Sequence, residues 1–174
     1  MRKTYLDDSS DDDSDDNPEP SKYKIVVIGD YRVGKSSLIS RIARNEFSLL
    51  YKSTKCMEIF TDIKMGDIVV DLWDVPPHIC KFYNVNSLRS DAIIIMFDSD
   101  VQSTLQEGLD IFKLLHKKLY NDKTPELWVV YRGTKKVKHI DECHPDRIFH
   151  VNSLTNDGFL DLIYDIRCKL LRRI

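Results

Sequence analysis

Residues 29–36 read Gly29-Asp30-Tyr31-Arg32-Val33-Gly34-Lys35-Ser36, a complete match to the pattern G-x-x-x-x-G-K-[ST]. The run before it, Tyr23-Lys24-Ile25-Val26-Val27-Ile28, is largely β-branched and apolar, as a buried strand is. The run after it, from Lys35 to Ala43, contains neither Gly nor Pro and reads as a helix. Strand, glycine loop and helix in that order are the context the pattern needs. Main-chain N–H groups of such a loop converge on a polyphosphate, and the helix N-terminus adds positive partial charge. Lys35 then reaches the β/γ-phosphates, and the Ser36 hydroxyl sits on a Mg²⁺ ion. A plain turn between strand and helix requires neither the lysine nor the serine. The stretch therefore predicts a nucleotide-phosphate pocket, or descent from one.

The chain of 174 residues suits a single domain with a sizeable core. Its formal charge of −2 hides a split. Residues 1–22 hold 8 acidic and 3 basic residues, leaving 20 acidic and 23 basic in residues 23–174. The block from Asp7 to Asp16, interleaved with Ser9, Ser10 and Ser14, has nothing apolar to bury. It reads as a disordered acidic tail, either simply solvated or used for docking or phosphorylation, with Pro18 and Pro20 marking its junction. The nearly neutral body argues against nucleic acid. Cys56, Cys80, Cys143 and Cys168 form no C-x-x-C pair and read as reduced, mostly packed thiols of a cytoplasmic protein. Cys143-His144 with His139 and His150 lacks the second half of a metal-ligand set. No apolar run approaches ~18 residues, so no membrane span is expected.

Two β-rich runs, Met57–Lys64 and Ile68–Trp73, flank Met65-Gly66-Asp67 and read as an antiparallel hairpin. Ala92–Phe97 is continuously apolar, the mark of a strand buried on both faces. Leu105, Leu109, Phe112, Leu115 and Leu119 keep a helical period from Leu105 to Tyr120. Leu127–Val130 and Ile148–Val151 read as strands, and Asn156-Asp157-Gly158 opens a last helix striped by Phe159, Ile163, Ile166 and Leu170. Between Val137 and Arg147 the chain has room for one or two helical turns, interrupted by Pro145. Strands alternating with helices predict an α/β domain over residues 23–174. It is a mainly parallel six-stranded sheet covered on both faces, with one antiparallel hairpin at its edge.

The order of these pieces resembles the Ras superfamily of small GTPases, P-loop NTPase-type G domains, and within it the Rab branch. Gly29-Asp30 with Val33-Gly34-Lys35-Ser36-Ser37-Leu38 looks like the Rab phosphate loop. Tyr51-Lys52-Ser53-Thr54 resembles the first switch. There Thr54 is expected to give its hydroxyl to Mg²⁺ and its N–H to the γ-phosphate. Trp73-Asp74 resembles the opening of the second switch, with Asp74 holding a Mg²⁺-bound water. Gly133-Thr134-Lys135 resembles the guanine-reading motif in its Thr-Lys form, and Ser153-Leu154 stand where the family's Ser-Ala-Lys loop backs the base. The resemblance implies Mg²⁺ with GTP or GDP, and effector or regulatory proteins bound through the switches. It also implies a monomer working in intracellular trafficking or signalling.

The departures bear on activity. After Asp74 the family has Thr-Ala-Gly-Gln, whereas this chain has Val75-Pro76-Pro77-His78. The glycine N–H that senses the γ-phosphate has no counterpart in Pro77. His78 replaces the glutamine that orients the attacking water. Tyr31 and Arg32 stand where the family prefers small residues, and Tyr31 would crowd an incoming arginine finger. Val137 replaces the aspartate that accepts bonds from guanine, a loss on the order of 3–6 kcal/mol, with Asp141 the next carboxylate along. Leu154-Thr155 replace Ala-Lys. No prenylation cysteine closes the sequence given and Arg2 precludes N-myristoylation, so membrane attachment is expected only through a partner. The reading is a Rab-like GTP-binding protein with slow or absent hydrolysis and weakened guanine preference. The alternative is a pseudo-GTPase scaffold with no nucleotide cycle. A P-loop kinase or ATPase would need a lid and a substrate insertion for which the chain has no room.

Overall fold

A computed structural model describes residues 20–82, 89–118, 125–137 and 147–173. Along them run β1 (Lys22–Gly29), α1 (Lys35–Arg44), β2 (Glu58–Met65), β3 (Ile68–Asp74) and α2 (Pro77–Phe82). Then follow β4 (Ala92–Asp98), α3 (Gln102–Lys118), β5 (Glu126–Arg132), β6 (Ile148–His150) and α4 (Phe159–Leu171). The six strands form one sheet in the order β2-β3-β1-β4-β5-β6. β2 pairs antiparallel with β3, and every other pairing is parallel. This is the α/β architecture the sequence predicts.

Period-two alternation divides the core between the two faces of the sheet. Ile25 and Val27 of β1 join Leu38 and Ile39 of α1 and Leu162, Ile166 and Leu170 of α4 on one face. Val26 and Ile28 join Phe112 and Leu115 of α3 on the other. All seven residues of β4 are buried, because helices cover both its faces. Each aliphatic side chain fully removed from water contributes about 1.5–3 kcal/mol, so the central strands carry the stability that positions the loops. α1 closes on Asn45, whose φ of 56° lets its N–H reach the Arg41 carbonyl at 3.0 Å.

The chain leaves β1 in opposite directions to reach its neighbours, and this reversal places a crevice at the strand C-termini. Parallel register brings Val27 level with Asp74, Gly29 with Met96, and Asp98 with Arg132.

Three expectations need revision. The six-residue α2 begins at Pro77, which the sequence reading left without an element; proline suits the first helical position, where its missing N–H costs nothing. Cys56 is exposed, not packed, and Cys168 is half-buried; both are free thiols. The long helix α3 starts at Gln102, three residues before the apolar stripe, because Thr104 caps the turn onto the Asp98 and Val101 carbonyls. Residues 1–19 of the acidic tail lie outside the described residues. So do Tyr120 at the expected end of the long helix, the 138–146 segment with His139, Asp141, Cys143, His144 and Pro145, and the side chain of Cys80.

Candidate functional site

The phosphate loop is shaped by backbone that only glycine tolerates at its first position. Gly29 has φ +145°, and a Cβ there would stand 2.1 Å from the Met96 carbonyl oxygen. Gly34, at φ +100°, opens α1. Val33 is fully buried beneath the loop, and Ser37 is half-buried behind it. Lys35 is only 7% exposed and bends back over the loop, its Nζ donating to the carbonyls of Gly29 at 2.9 Å and Asp30 at 2.8 Å. An ammonium is thus held at the centre of the loop. Asp30 turns its carboxylate onto the Tyr31 N–H at 2.7 Å.

Ser36, Thr54 and Asp74 come together although they lie on α1, the loop before β2, and the end of β3. Ser36 Oγ donates to Asp74 Oδ2 at 2.5 Å and stands 3.0 Å from Thr54 Oγ1, which is itself 3.4 Å from Asp74 Oδ2. Asp74 is fully buried, and its second oxygen, Oδ1, has no hydrogen-bond partner. An orphaned carboxylate oxygen beside two hydroxyls is an all-oxygen donor set of one charge. It fits Mg²⁺, which binds through one or two carboxylates when phosphates supply the remaining ligands. Among the described residues no group of three His, Cys, Asp or Glu offers a metal site independent of such phosphates.

The mouth of this crevice is lined by the residues that depart from the family. The Tyr31 ring is 47% exposed, and its hydroxyl lies 3.5 Å from His78 Nδ1 in the first turn of α2. Arg32 is exposed, with φ 60°, and its guanidinium lies 5.1 Å from the centre of the Tyr51 ring. Pro76 and Pro77 are buried, and the Pro76 carbonyl accepts the Ile79 N–H at 3.0 Å.

On the opposite side lies the 133–137 loop. Thr134 and Lys135 are exposed there, whereas Val137 packs inward against the core beneath α3 and donates its N–H to the Tyr131 hydroxyl at 3.3 Å. The Ser153 carbonyl accepts two bonds from the Arg41 guanidinium, at 3.0 and 2.8 Å. Arg41 also lies 6.0 Å from the half-buried Phe47 ring, so Phe47 borders the same corner. Leu154 is exposed, its N–H held by Asn152 Oδ1 at 3.0 Å.

The sequence reading missed Asp100, whose carboxylate accepts the N–H of Thr134 at 2.8 Å, the Thr134 hydroxyl at 2.8 Å and the N–H of Lys135 at 3.2 Å. These bonds, led by the Thr134 N–H, hold its pKa below the ordinary 3.8. It weighed His150 only as a metal ligand and missed that its Nε2–H donates to the Gly133 carbonyl at 2.9 Å. Neither contact has a spacing signature, because each joins separate loops through main-chain groups.

A parallel sheet of this order with a glycine loop at its reversal point, and a lysine, two hydroxyls and a buried aspartate around it, defines a Ras-like G domain fold. A family model described as Roc, the Ras of Complex domain of DAPkinase, matches residues 24–135. The chain belongs to this family, within the Ras superfamily of small GTPases and with Rab-like relatives. It is 25% identical to the Ras-related protein Rab-32D of Dictyostelium discoideum over 162 residues, covering 87% of this chain and 68% of that protein. It is 46% identical to RABA5e of Arabidopsis thaliana over 63 residues, 34% of this chain and 29% of the relative. With Rab11B of Nicotiana tabacum it is 49% identical over 55 residues, 30% of this chain and 25% of the relative. The matches to RABA5e and Rab11B thus span less than a third of those relatives' lengths. Members of the superfamily bind GTP or GDP with Mg²⁺. Among the described residues no helix is long and apolar enough to cross a membrane.

Proposed function

We propose that this chain is a Rab-like nucleotide-binding protein that acts by binding partners and hydrolyses GTP slowly or not at all. The observation that carries the reading is the convergence of Ser36, Thr54 and Asp74, with Asp74 Oδ1 left unpartnered, beside the loop over which Lys35 bends. In this reading the loop from Gly29 to Ser37 wraps the phosphates and Lys35 neutralises them. Ser36 and Thr54 ligate Mg²⁺, and Asp74 holds one of its waters. Thr134, Lys135, Ser153 and Leu154 border the base. The metal supplies charge neutralisation at the phosphates; every other role belongs to these side chains.

Slow hydrolysis follows from what the second switch lacks. Pro77 has no N–H for the γ-phosphate, and His78 differs from glutamine in reach and in its pattern of donors and acceptors. Partner binding is supported by Leu49, Leu50 and Tyr51 ahead of Thr54, which are 84%, 78% and 55% exposed. Apolar side chains left in water on a segment that orders around phosphate suit a surface that a partner covers. The reading places the protein in the cytoplasm as a monomer, with membranes reached through a partner and without nucleic acid. In this reading residues 1–22 are the acidic tail, although Lys22 already opens β1, and residues 23–174 the G domain.

The pseudo-GTPase scaffold is favoured by one observation. The Lys35 ammonium bonds two of the loop's own carbonyls, a structural role that a scaffold would also use. Denaturing the purified protein and running the supernatant by ion-exchange chromatography separates the two readings. Co-purified GDP or GTP is the expected result. An empty pocket, with no binding on addition of Mg²⁺–GTP or Mg²⁺–GDP, leaves the scaffold.

A further inference from the structure

A groove of about 490 Å³ runs between α4, α1 and the turn joining β2 to β3. Ile42, Met65, Leu160, Ile163 and Tyr164 line it, with Leu160 78% and Tyr164 67% exposed. Arg167, paired with Asp67 across the turn, lines it too. Further cations border this apolar floor. Lys64 at its edge is exposed, and the exposed Arg44 stands 5.3 Å from the ring of Phe60, on the sheet face that α1 and α4 cover. Asp165 is spent on the Trp128 Nε1–H, which it accepts at 2.6 Å. After it the chain carries Arg167, Lys169, Arg172 and Arg173 and no acid. An apolar floor inside a cationic border suits an occupant that is apolar in one part and acidic in the rest.

A segment of that composition is attached beside the groove. Residues 7–16 contain seven aspartates, and Tyr5-Leu6 come directly before them. Lys22 of β1 is level with Val69 of β3, and Val69 with Lys64 of β2. Neighbouring strands lie about 4.8 Å apart, so β1 begins about 10 Å from Lys64. Asp16 is five residues before Ser21, whose carbonyl accepts the Val69 N–H at 3.0 Å. An extended chain spans at most about 3.3–3.6 Å per residue, so Asp16 reaches roughly 17 Å from the sheet and Leu6 roughly 50 Å.

We propose that residues 5–16 fold back onto this groove. Tyr5 and Leu6 cover Leu160 and Tyr164, and the aspartates lie along Arg44, Lys64 and the basic end of α4. The tether gives the segment an effective concentration on the order of millimolar, which any separate partner has to match. A second copy docked through the same groove by two-fold symmetry would set the two cationic borders against each other. The groove lies at the opposite ends of the parallel strands from the phosphate loop, so the claim stands apart from nucleotide binding.

Amide NMR of the full chain tests it with two variants. One carries Asp11→Asn, Asp12→Asn, Asp13→Asn, Asp15→Asn and Asp16→Asn, which strip charge from the tail. The other is Leu160→Ser, at an exposed position outside the core. The tail variant shifts the amides of Gly66, Ile163, Tyr164 and Arg167 and leaves those of Gly34 and Gly133, at the other end of the sheet, in place. Leu160→Ser shifts the amides of Tyr5 and Leu6. Salt at about 1 M, where charges are screened beyond ~3 Å, moves the wild-type groove peaks toward those of the tail variant. Groove peaks that are the same in wild type and tail variant overturn the proposal and leave the groove to a separate partner. Amides of Tyr5 and Leu6 unmoved by Leu160→Ser overturn it as well. So do groove shifts that depend on protein concentration, which assign the tail to a neighbouring copy.

Discussion

The Tyr31 hydroxyl stands 3.5 Å from Nδ1 of His78, so a side chain of the phosphate loop meets the first turn of α2 across the mouth of the crevice. At that distance the bond is weak, and its weight is steric. In the proposed reading the exposed Tyr31 ring would crowd the approach of a partner's cation to the phosphates. Behind it Pro77 sits buried at the start of α2, and its nitrogen carries no hydrogen. Intrinsic GTP turnover is expected on the order of 10⁻³ s⁻¹ or slower, and insensitive to activating proteins that insert an arginine. His78→Gln alone leaves it slow, because the missing N–H at Pro77 is untouched. Single-turnover assays check this. Brisk multiple turnover in wild type, abolished by His78→Ala, would instead make His78 catalytic.

Lys35→Ala and Ser36→Asn are each expected to abolish nucleotide binding. Lys35 also satisfies two loop carbonyls, so its removal destabilises the empty protein by roughly 1–3 kcal/mol as well. Thermal denaturation with and without Mg²⁺–GTP separates the effects. At a hundredfold excess over Kd, ligand adds about 2.7 kcal/mol to wild type and nothing to either variant. A wild-type melting point indifferent to millimolar Mg²⁺–GTP and Mg²⁺–GDP removes the binding claim.

Gly29 and Gly34 are expected to differ sharply on replacement by alanine. At Gly29 the new methyl would meet the Met96 carbonyl oxygen at 2.1 Å, in the backbone of a buried strand that cannot yield. At Gly34 the nearest atom is Arg132 Cδ at 3.6 Å, so only the strain of φ +100° remains. Gly29→Ala should cost well over 2 kcal/mol, and Gly34→Ala about 1–2 kcal/mol. Denaturant unfolding of the two variants ranks them; equal losses would contradict this packing.

These contacts also show what the sequence could and could not disclose. The strands were legible because a parallel strand covered on both faces must be apolar throughout, as Ala92–Phe97 is. Ser36, Thr54 and Asp74 were brought together by resemblance, and the fold sets them within hydrogen-bonding distance. The short helix at Pro77 was not legible, because paired prolines read as a break unless the second is known to sit at the first helical position. Asp100 on Thr134, and Arg41 on Ser153, span 34 and 112 residues and end on main-chain atoms or a hydroxyl. Any residue type offers main-chain atoms, so no pattern marks such contacts. Val137 looked like a lost base contact, and the fold adds that its side chain serves the core.

Acid sensitivity should begin only at low pH. The Thr134 N–H lowers the Asp100 pKa below 3.8, and the Arg167 guanidinium does the same for Asp67. A depressed folded pKa means stability that is complete above the unfolded value and is lost as pH falls through the folded one. These two carboxylates therefore contribute no slope to the melting temperature between pH 7 and about pH 5, and contribute a fall below about pH 4. Asp100→Asn removes its share of that fall. Melting curves of wild type and variant across pH 7 to 3 that run parallel throughout would show that Asp100 is not held as described.

Base choice follows from the direction of Val137. Its side chain packs against the core under α3, its N–H is taken by the Tyr131 hydroxyl, and valine has no side-chain acceptor for guanine. GTP and ATP, held chiefly by their phosphates, should compete within about tenfold, a gap of ~1.4 kcal/mol. Val137→Asp sets two effects against each other. A carboxylate turned toward that apolar core costs more than the roughly 1–3 kcal/mol of an unpaired neutral polar group, read as a lowered melting point. Turned outward, it offers guanine two acceptors beside Lys135 and should tighten GTP selectively, with ATP unchanged. Titrating both nucleotides against wild type and variant, alongside the melting curves, shows which orientation prevails. A wild type that already prefers GTP by orders of magnitude would mean that a carboxylate other than residue 137 reads the base. Asp141 is the nearest in sequence, and the alignment of this loop with the family would then shift by four residues.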